Sequence, residues 1–131
     1  MLIIALIFAF QQPQPTTDTP GGTPKLKADK DLVDLGDIAL GSTTKVTFQL
    51  SNTGDSTVRF IKEPYVEVKE GCWPPTPAIG SMAIKPGEST TLTLEFLMHG
   101  SMGGKHDFRV HLPTNDPANP DMILTVLSNW K

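Results

Sequence analysis

The chain has 131 residues and a formal net charge of −3, and charged residues make up only 19% of it. Twelve prolines and eleven glycines punctuate short apolar runs, a composition that favours strands and turns over helices. The eleven basic residues are scattered, which excludes a nucleic-acid-binding protein, because phosphate binding needs clustered Lys and Arg.

The first ten residues, Met1 to Phe10, are wholly apolar. This is half of the roughly 20 residues that a helix needs to cross a bilayer, and it matches the hydrophobic region of a signal peptide. No Lys or Arg precedes the run, so an uncleaved membrane anchor with its true start upstream is the alternative, and a buried strand is a third. Either of the first two predicts an extracytoplasmic protein: outside the cytoplasmic membrane, at the cell surface or secreted.

Residues 11–27 are predicted to form a flexible linker. From Gln11 to Pro24 the sequence reads QQPQPTTDTPGGTP, which has no apolar periodicity and cannot build a core. Residues 28–131 then form the folded domain. In this interpretation the membrane is contacted through the N-terminal segment alone.

The domain shows the period-2 alternation of half-buried strands. Val46, Phe48 and Leu50 share one face of the first clear example, and Pro86-Gly87 is a turn signal before the next long strand. Seven strands are predicted, at 32–35, 45–51, 58–60, 65–69, 91–96, 106–112 and 122–127. Their turn spacing predicts an all-β, seven-stranded immunoglobulin-like β-sandwich.

Several segments strengthen this assignment: Asp34-Leu35-Gly36-Asp37, Leu50-Ser51-Asn52-Thr53-Gly54, Gly71-Cys72, Ile84-Lys85-Pro86-Gly87-Glu88 and Thr114-Asn115-Asp116-Pro117. With these motifs, residues 30–128 resemble a bacterial family of small extracytoplasmic immunoglobulin-like domains of unknown function, related to Hydin-like and major-sperm-protein-like domains. The resemblance implies a seven-stranded sandwich. It implies no mechanism, because the motifs are mostly turn chemistry.

A connection rich in Met, His and Gly is the first candidate site. Met98, His99, Met102 and His106 place two thioethers and two imidazoles between predicted strands, and such ligands suit Cu(I). Cys72 is a further candidate ligand if its loop lies near the same end of the sandwich. The structural interpretation is that Met98 and His106, on the inward phase of their strands, plug the end of the sandwich.

Cys72 is the sole cysteine, so an internal disulfide is ruled out and the thiol is buried, bridged to another chain or metal-bound. Trp73, Pro74 and Pro75 follow it. A tryptophan on a rigid proline-rich loop is a candidate anchor for a protein partner, and a lid over the open end of the sandwich is the alternative.

Catalysis is not expected. Gly100-Ser101-Met102-Gly103 departs from the Gly-x-Ser-x-Gly order of a hydrolase elbow, and a strand, not a helix, is predicted to follow it. The sequence therefore predicts a non-enzymatic binding or structural module that engages another envelope or cell-surface protein. The alternative is a Cu(I)-binding or metallochaperone protein. The oligomeric state stays open.

Overall fold

The alternating segments of the sequence become the long strands of the fold. The computed structural model describes residues 17–131, and residues 1–16 lie outside the described part. Within these described residues, ten strands run in chain order: β1 (Leu26–Ala28), β2 (Leu32–Ile38), β3 (Thr43–Asn52), β4 (Val58–Arg59), β5 (Tyr65–Glu70), β6 (Ala78–Ile79), β7 (Ala83–Ile84), β8 (Ser89–Leu97), β9 (Gly104–Pro113) and β10 (Asp121–Trp130).

The strands form two four-stranded sheets and one short pair. Sheet 1 has the order β1-β3-β8-β6, sheet 2 has the order β2-β10-β9-β5, and β4 pairs with β7. The chain crosses from sheet 1 to sheet 2 between β1 and β2, and β2 then runs parallel to β10. No helix long and apolar enough to span a bilayer occurs in the part of the chain that the structure describes.

The inward side chains of both sheets make one core. Phe96 of sheet 1 and Phe108 of sheet 2 stack with ring centroids 5.9 Å apart, which joins the two layers. Complete burial of such side chains contributes roughly 1.5–3 kcal/mol each before entropy. The apolar residues on the inward phase of the predicted strands, Val46, Phe48 and Leu50 among them, are buried; the others are Val58, Phe60, Leu92, Leu94, Phe96, Phe108, Val110 and Leu112.

The all-β sandwich is confirmed, but the predicted count of seven strands differs from the observed ten. The seven predicted strands are present, and β1, β6 and β7 are additional. Each of these three has only two or three residues. A segment that short completes no more than one period of alternation, so the strand signal in its sequence is weak.

The N-terminal boundary also differs from the expectation. The predicted signal or anchor segment (1–10) and residues 11–16 of the linker lie outside the described residues. Within the rest of the predicted linker, Thr19 N–H donates to the Asp55 carbonyl at 2.8 Å and Thr23 N–H donates to Asp55 Oδ1 at 2.7 Å. Leu26 is buried in β1, so the sandwich begins before residue 28.

Asn52 is the polar centre of the turn after β3. Its Nδ2 donates to the carbonyls of Ser56 (2.7 Å) and Ile84 (2.9 Å). Its Oδ1 accepts from the backbone N–H groups of Gly54 (2.9 Å) and Lys25 (3.3 Å). The buried amide therefore uses its full bonding capacity to join three separate segments.

Asp116 plays the matching part in the turn between β9 and β10. Its buried carboxylate accepts from the N–H of Leu26 at 2.9 Å and from the N–H of Ala118 at 2.8 Å. Burial raises the pKa of Asp116, but these donors and Asn119 outweigh burial, so the pKa lies below its ordinary value. The charged carboxylate thus fastens β1 to the β9–β10 turn.

Candidate protein-binding surface

The loop from Gly71 to Pro77 connects an edge of one sheet to an edge of the other. It leaves β5, which pairs with β9 alone among residues 17–131, and it enters β6, the edge strand of sheet 1. β5 therefore presents one row of backbone N–H and C=O groups away from its sheet. Such an edge can accept a strand from another chain.

Cys72 lies at the start of this loop, against a buried histidine. Its Sγ is 4.0 Å from Nε2 of His106, while the residue itself is exposed. His106 is only 2% exposed, and its Nδ1 lies 2.9 Å from the Gly104 carbonyl oxygen. The structure thus joins two predicted site residues that are 34 positions apart.

Trp73 projects from the loop into solvent. Its side chain is 66% exposed, so it does not act as the predicted lid over the core. Its φ of 57° is the sole positive value of a non-glycine residue in residues 17–131. Pro74 is exposed and Pro75 is half-buried. Their fixed φ angles stiffen the segment that follows the indole.

The connection that carries Met98, His99 and Met102 forms a turn, and these three side chains differ in their burial. Met102 N–H donates to the His99 carbonyl at 3.1 Å, and His99 is exposed. Met98 is fully buried within the core, and Met102 is half-buried against it. Met98 and His106 thus occupy the inward positions that the structural interpretation predicts.

Copper binding stays a prediction. Of its five candidate ligands, Cys72 and His106 are in contact, and Met98 is enclosed by hydrophobic side chains. Within residues 17–131, no three His, Cys, Asp or Glu side chains converge in a way that could hold a metal ion.

Sequence reasoning missed a charged cluster on the outer face of sheet 2. His111 lies between Asp121 and Glu67, with each ring nitrogen 2.7 Å from a carboxylate oxygen, and Tyr65 stacks on the ring at 4.8 Å. Partial burial lowers the pKa of His111, but the two carboxylates outweigh burial and the pKa is raised. The sequence does show His111 at an outward-facing position of the predicted strand that corresponds to β9. In the structure, the cluster links edge strand β5 to β9 and β10.

The serine of the elbow-like sequence lies in the turn before β9. A strand, Gly104–Pro113, follows Ser101, as predicted. The strand-turn-helix geometry that exposes a hydrolase nucleophile is therefore missing at this position.

Comparison with known proteins supports the same fold. The family model described as "HYDIN/CFA65/VesB-like, Ig-like domain" matches residues 24–129. No curated protein sequence matches the chain significantly. The Hydin-related resemblance expected from the turn motifs is confirmed.

Two solved structures show similar folds at low sequence identity. The ASH/PapD-like domain 7 of human CEP192 is 13% identical, with a TM-score of 0.58, and the match covers 92% of this chain and 93% of that one. The secreted serine protease VesC from Vibrio cholerae is 11% identical, with a TM-score of 0.57 over 82% of this chain. The chain spans only 23% of the VesC chain.

These likenesses show the fold alone, which is consistent with a binding or structural module. The family match covers well over half of the chain, from Pro24 in front of β1 to Asn129 in β10. The protein belongs to the HYDIN/CFA65/VesB-like family of Ig-like domains.

Proposed function

We propose that the chain is an extracytoplasmic binding module that engages another protein of the cell envelope through Trp73 and edge strand β5. The observation that carries this proposal is the 66% exposure of Trp73 on the loop that leaves an open sheet edge. Tryptophan is enriched among the residues that dominate interface energetics, and an indole in water is an unused apolar surface.

The loop is preorganised for an encounter. Cys72 rests on a buried side chain, and Pro74 and Pro75 restrict the backbone beyond Trp73. A loop that is already ordered loses less conformational entropy on binding, so more of the contact energy appears as affinity.

The edge of β5 favours a selective partner over self-association. Glu67, Lys69 and Glu70 place charges along the strand, and the pairing register shifts between Val68 and Glu70. Charged side chains and irregularities of this kind oppose indiscriminate edge-to-edge pairing. A partner strand would have to match the charge pattern and the register.

Two observations support an extracytoplasmic location. The apolar run from Met1 to Phe10 has the length of a signal-peptide hydrophobic region. VesC, which carries a similar fold over part of its length, is described as secreted.

Affinity capture from native envelopes, with chemical crosslinking and quantitative mass spectrometry, tests the proposal. The full chain is compared with two variants, Trp73→Ala and Ile61→Ala. Ile61 is a matched control because it is 70% exposed and bonds to Pro113, at the end of β9 opposite to His106. Loss of an anchoring tryptophan costs about 2 kcal/mol or more, roughly a 30-fold weakening.

We expect a specific envelope protein to be enriched by the wild-type chain and by Ile61→Ala, and to be lost with Trp73→Ala. Recovery of background proteins alone would contradict the proposal. Equal enrichment by wild type and Trp73→Ala would show that binding, if present, uses another surface.

A further inference from the structure

We infer that Cys72 and His106 form a thiol–imidazole pair that exchanges with disulfides, so that Cys72 becomes joined to a disulfide-bearing substrate. This inference goes beyond the proposed function and does not depend on it. It rests on the geometry around the buried imidazole of His106 and on the exposure of Cys72, the residue that contacts it.

The imidazole of His106 is aimed at the thiol. A carbonyl oxygen can only accept, so the contact of Nδ1 with Gly104 O places a proton on Nδ1, and in the neutral ring Nε2 then carries the lone pair. In the described part of the chain, the Cys72 sulfur at 4.0 Å is the sole hydrogen-bonding partner of that Nε2. A polar atom on a side chain that is 98% buried therefore depends on the thiol proton.

Neighbouring residues fix the ring in this position. Phe108 contacts it edge-on at a centroid distance of 5.6 Å. Gly71 covers it so closely that a Cβ at this position would lie 2.4 Å from Cδ2 of His106. The φ of Gly71 is +97°, a conformation that L side chains rarely adopt. A glycine before Cys72 thus allows the backbone to bring the thiol onto the imidazole.

This arrangement supports a balanced exchange reaction. As Cys72 Sγ attacks one sulfur of a disulfide, its proton passes to Nε2 of His106. A new S–S bond forms between Cys72 and that sulfur, the old S–S bond breaks, and the second sulfur leaves as a thiolate. The imidazolium then returns the proton to this thiolate. Cys72 is oxidised and the released thiol is reduced.

The product is a mixed disulfide between Cys72 and the substrate that no second thiol of this sequence can resolve, because Cys72 is the sole cysteine. Cys72 is an exposed residue, so a substrate can approach it from solvent, and Trp73 follows it in the chain. The chemistry fits a small disulfide or a disulfide on another protein, since both present the same reacting bond.

The test measures the rate of mixed-disulfide formation by intact mass. The full chain, with a metal chelator present, is mixed with oxidised glutathione in one arm and with a disulfide-linked peptide in the other. Folded wild type is compared with the same chain unfolded in urea, whose Cys72 has lost its histidine. We expect the folded chain to react at least about tenfold faster in one arm or both, because positioned bases contribute about 10²-fold or more.

Two variants separate the contribution of the His106 imidazole to the reaction rate from that of the solvent exposure of Cys72. His106→Gln should lose the rate advantage, whereas His99→Gln, which alters an exposed histidine between β8 and β9, should keep it. The favoured arm identifies the source of the disulfide. A folded wild-type rate equal to or below the unfolded rate in both arms would overturn the inference, and this comparison holds even if His106→Gln fails to fold.

Discussion

Replacing Asn52 with alanine is expected to lower the free energy of unfolding by about 3 kcal/mol. The substitution removes four hydrogen bonds of a buried amide, to Ser56, Ile84, Gly54 and Lys25. The four backbone groups are then left without their hydrogen-bond partner. Leaving buried polar groups unpaired costs more free energy than losing a hydrogen bond at the exposed surface. Urea unfolding of wild type and variant measures the difference.

Thr53→Ala is the matched control for Asn52. Thr53 is the next residue of the same turn, and its side chain is exposed. The control should stay within about 0.5 kcal/mol of wild type, as most exposed substitutions do. An Asn52→Ala variant as stable as this control would show that the amide does not hold the three segments together.

Replacing Asp116 with asparagine is expected to destabilise the fold by about 2 kcal/mol at neutral pH. The carboxylate accepts hydrogen bonds from Leu26, Ala118 and Asn119, and an amide can neither carry the charge nor accept from all three. β1 should loosen from the β9–β10 turn. Urea unfolding at pH 7 measures the loss.

The effect of Asp116 should depend on pH in one direction. Its pKa is lowered in the folded chain, so its contribution is present above the ordinary pKa of an unfolded aspartate and is lost as the pH falls through the folded value. The stability difference between wild type and Asp116→Asn should therefore shrink in acid. Asp31→Asn, at an exposed aspartate, is the control. A difference that stays constant or grows on acidification would contradict the assignment.

Much of the fold could be predicted because its long strands alternate without interruption. Phe48 in β3 and Phe108 in β9 occupy inward positions that the period-2 pattern identifies without further information. The turn at Pro86-Gly87 could be predicted from its residues just as directly. In the structure Gly87 has a φ of 82°, and Glu88 N–H donates to the Lys85 carbonyl. Strands β6 and β7 have two residues each and carry no pattern to read.

The candidate surface could be predicted only in part. A tryptophan between a cysteine and two prolines is conspicuous in the sequence, but its 66% exposure is a property of the folded loop. The contact between Cys72 and His106 depends on the register of β5 against β9 and on the shift between Val68 and Glu70. A shift of one residue would turn the opposite set of side chains inward, and composition cannot fix such a register.

The proposed binding surface is tested most directly by site-specific photocrosslinking in native envelopes. A photoreactive residue replaces the exposed Thr76 in the Trp73 loop. In a second chain it replaces the exposed Asp31, just before β2 at the opposite edge of sheet 2. We predict a discrete protein adduct from position 76, none from position 31, and loss of the adduct when excess wild-type chain competes but not when excess Trp73→Ala chain does. An absent adduct at position 76, or the same adducts from both positions, would contradict the assignment of this surface.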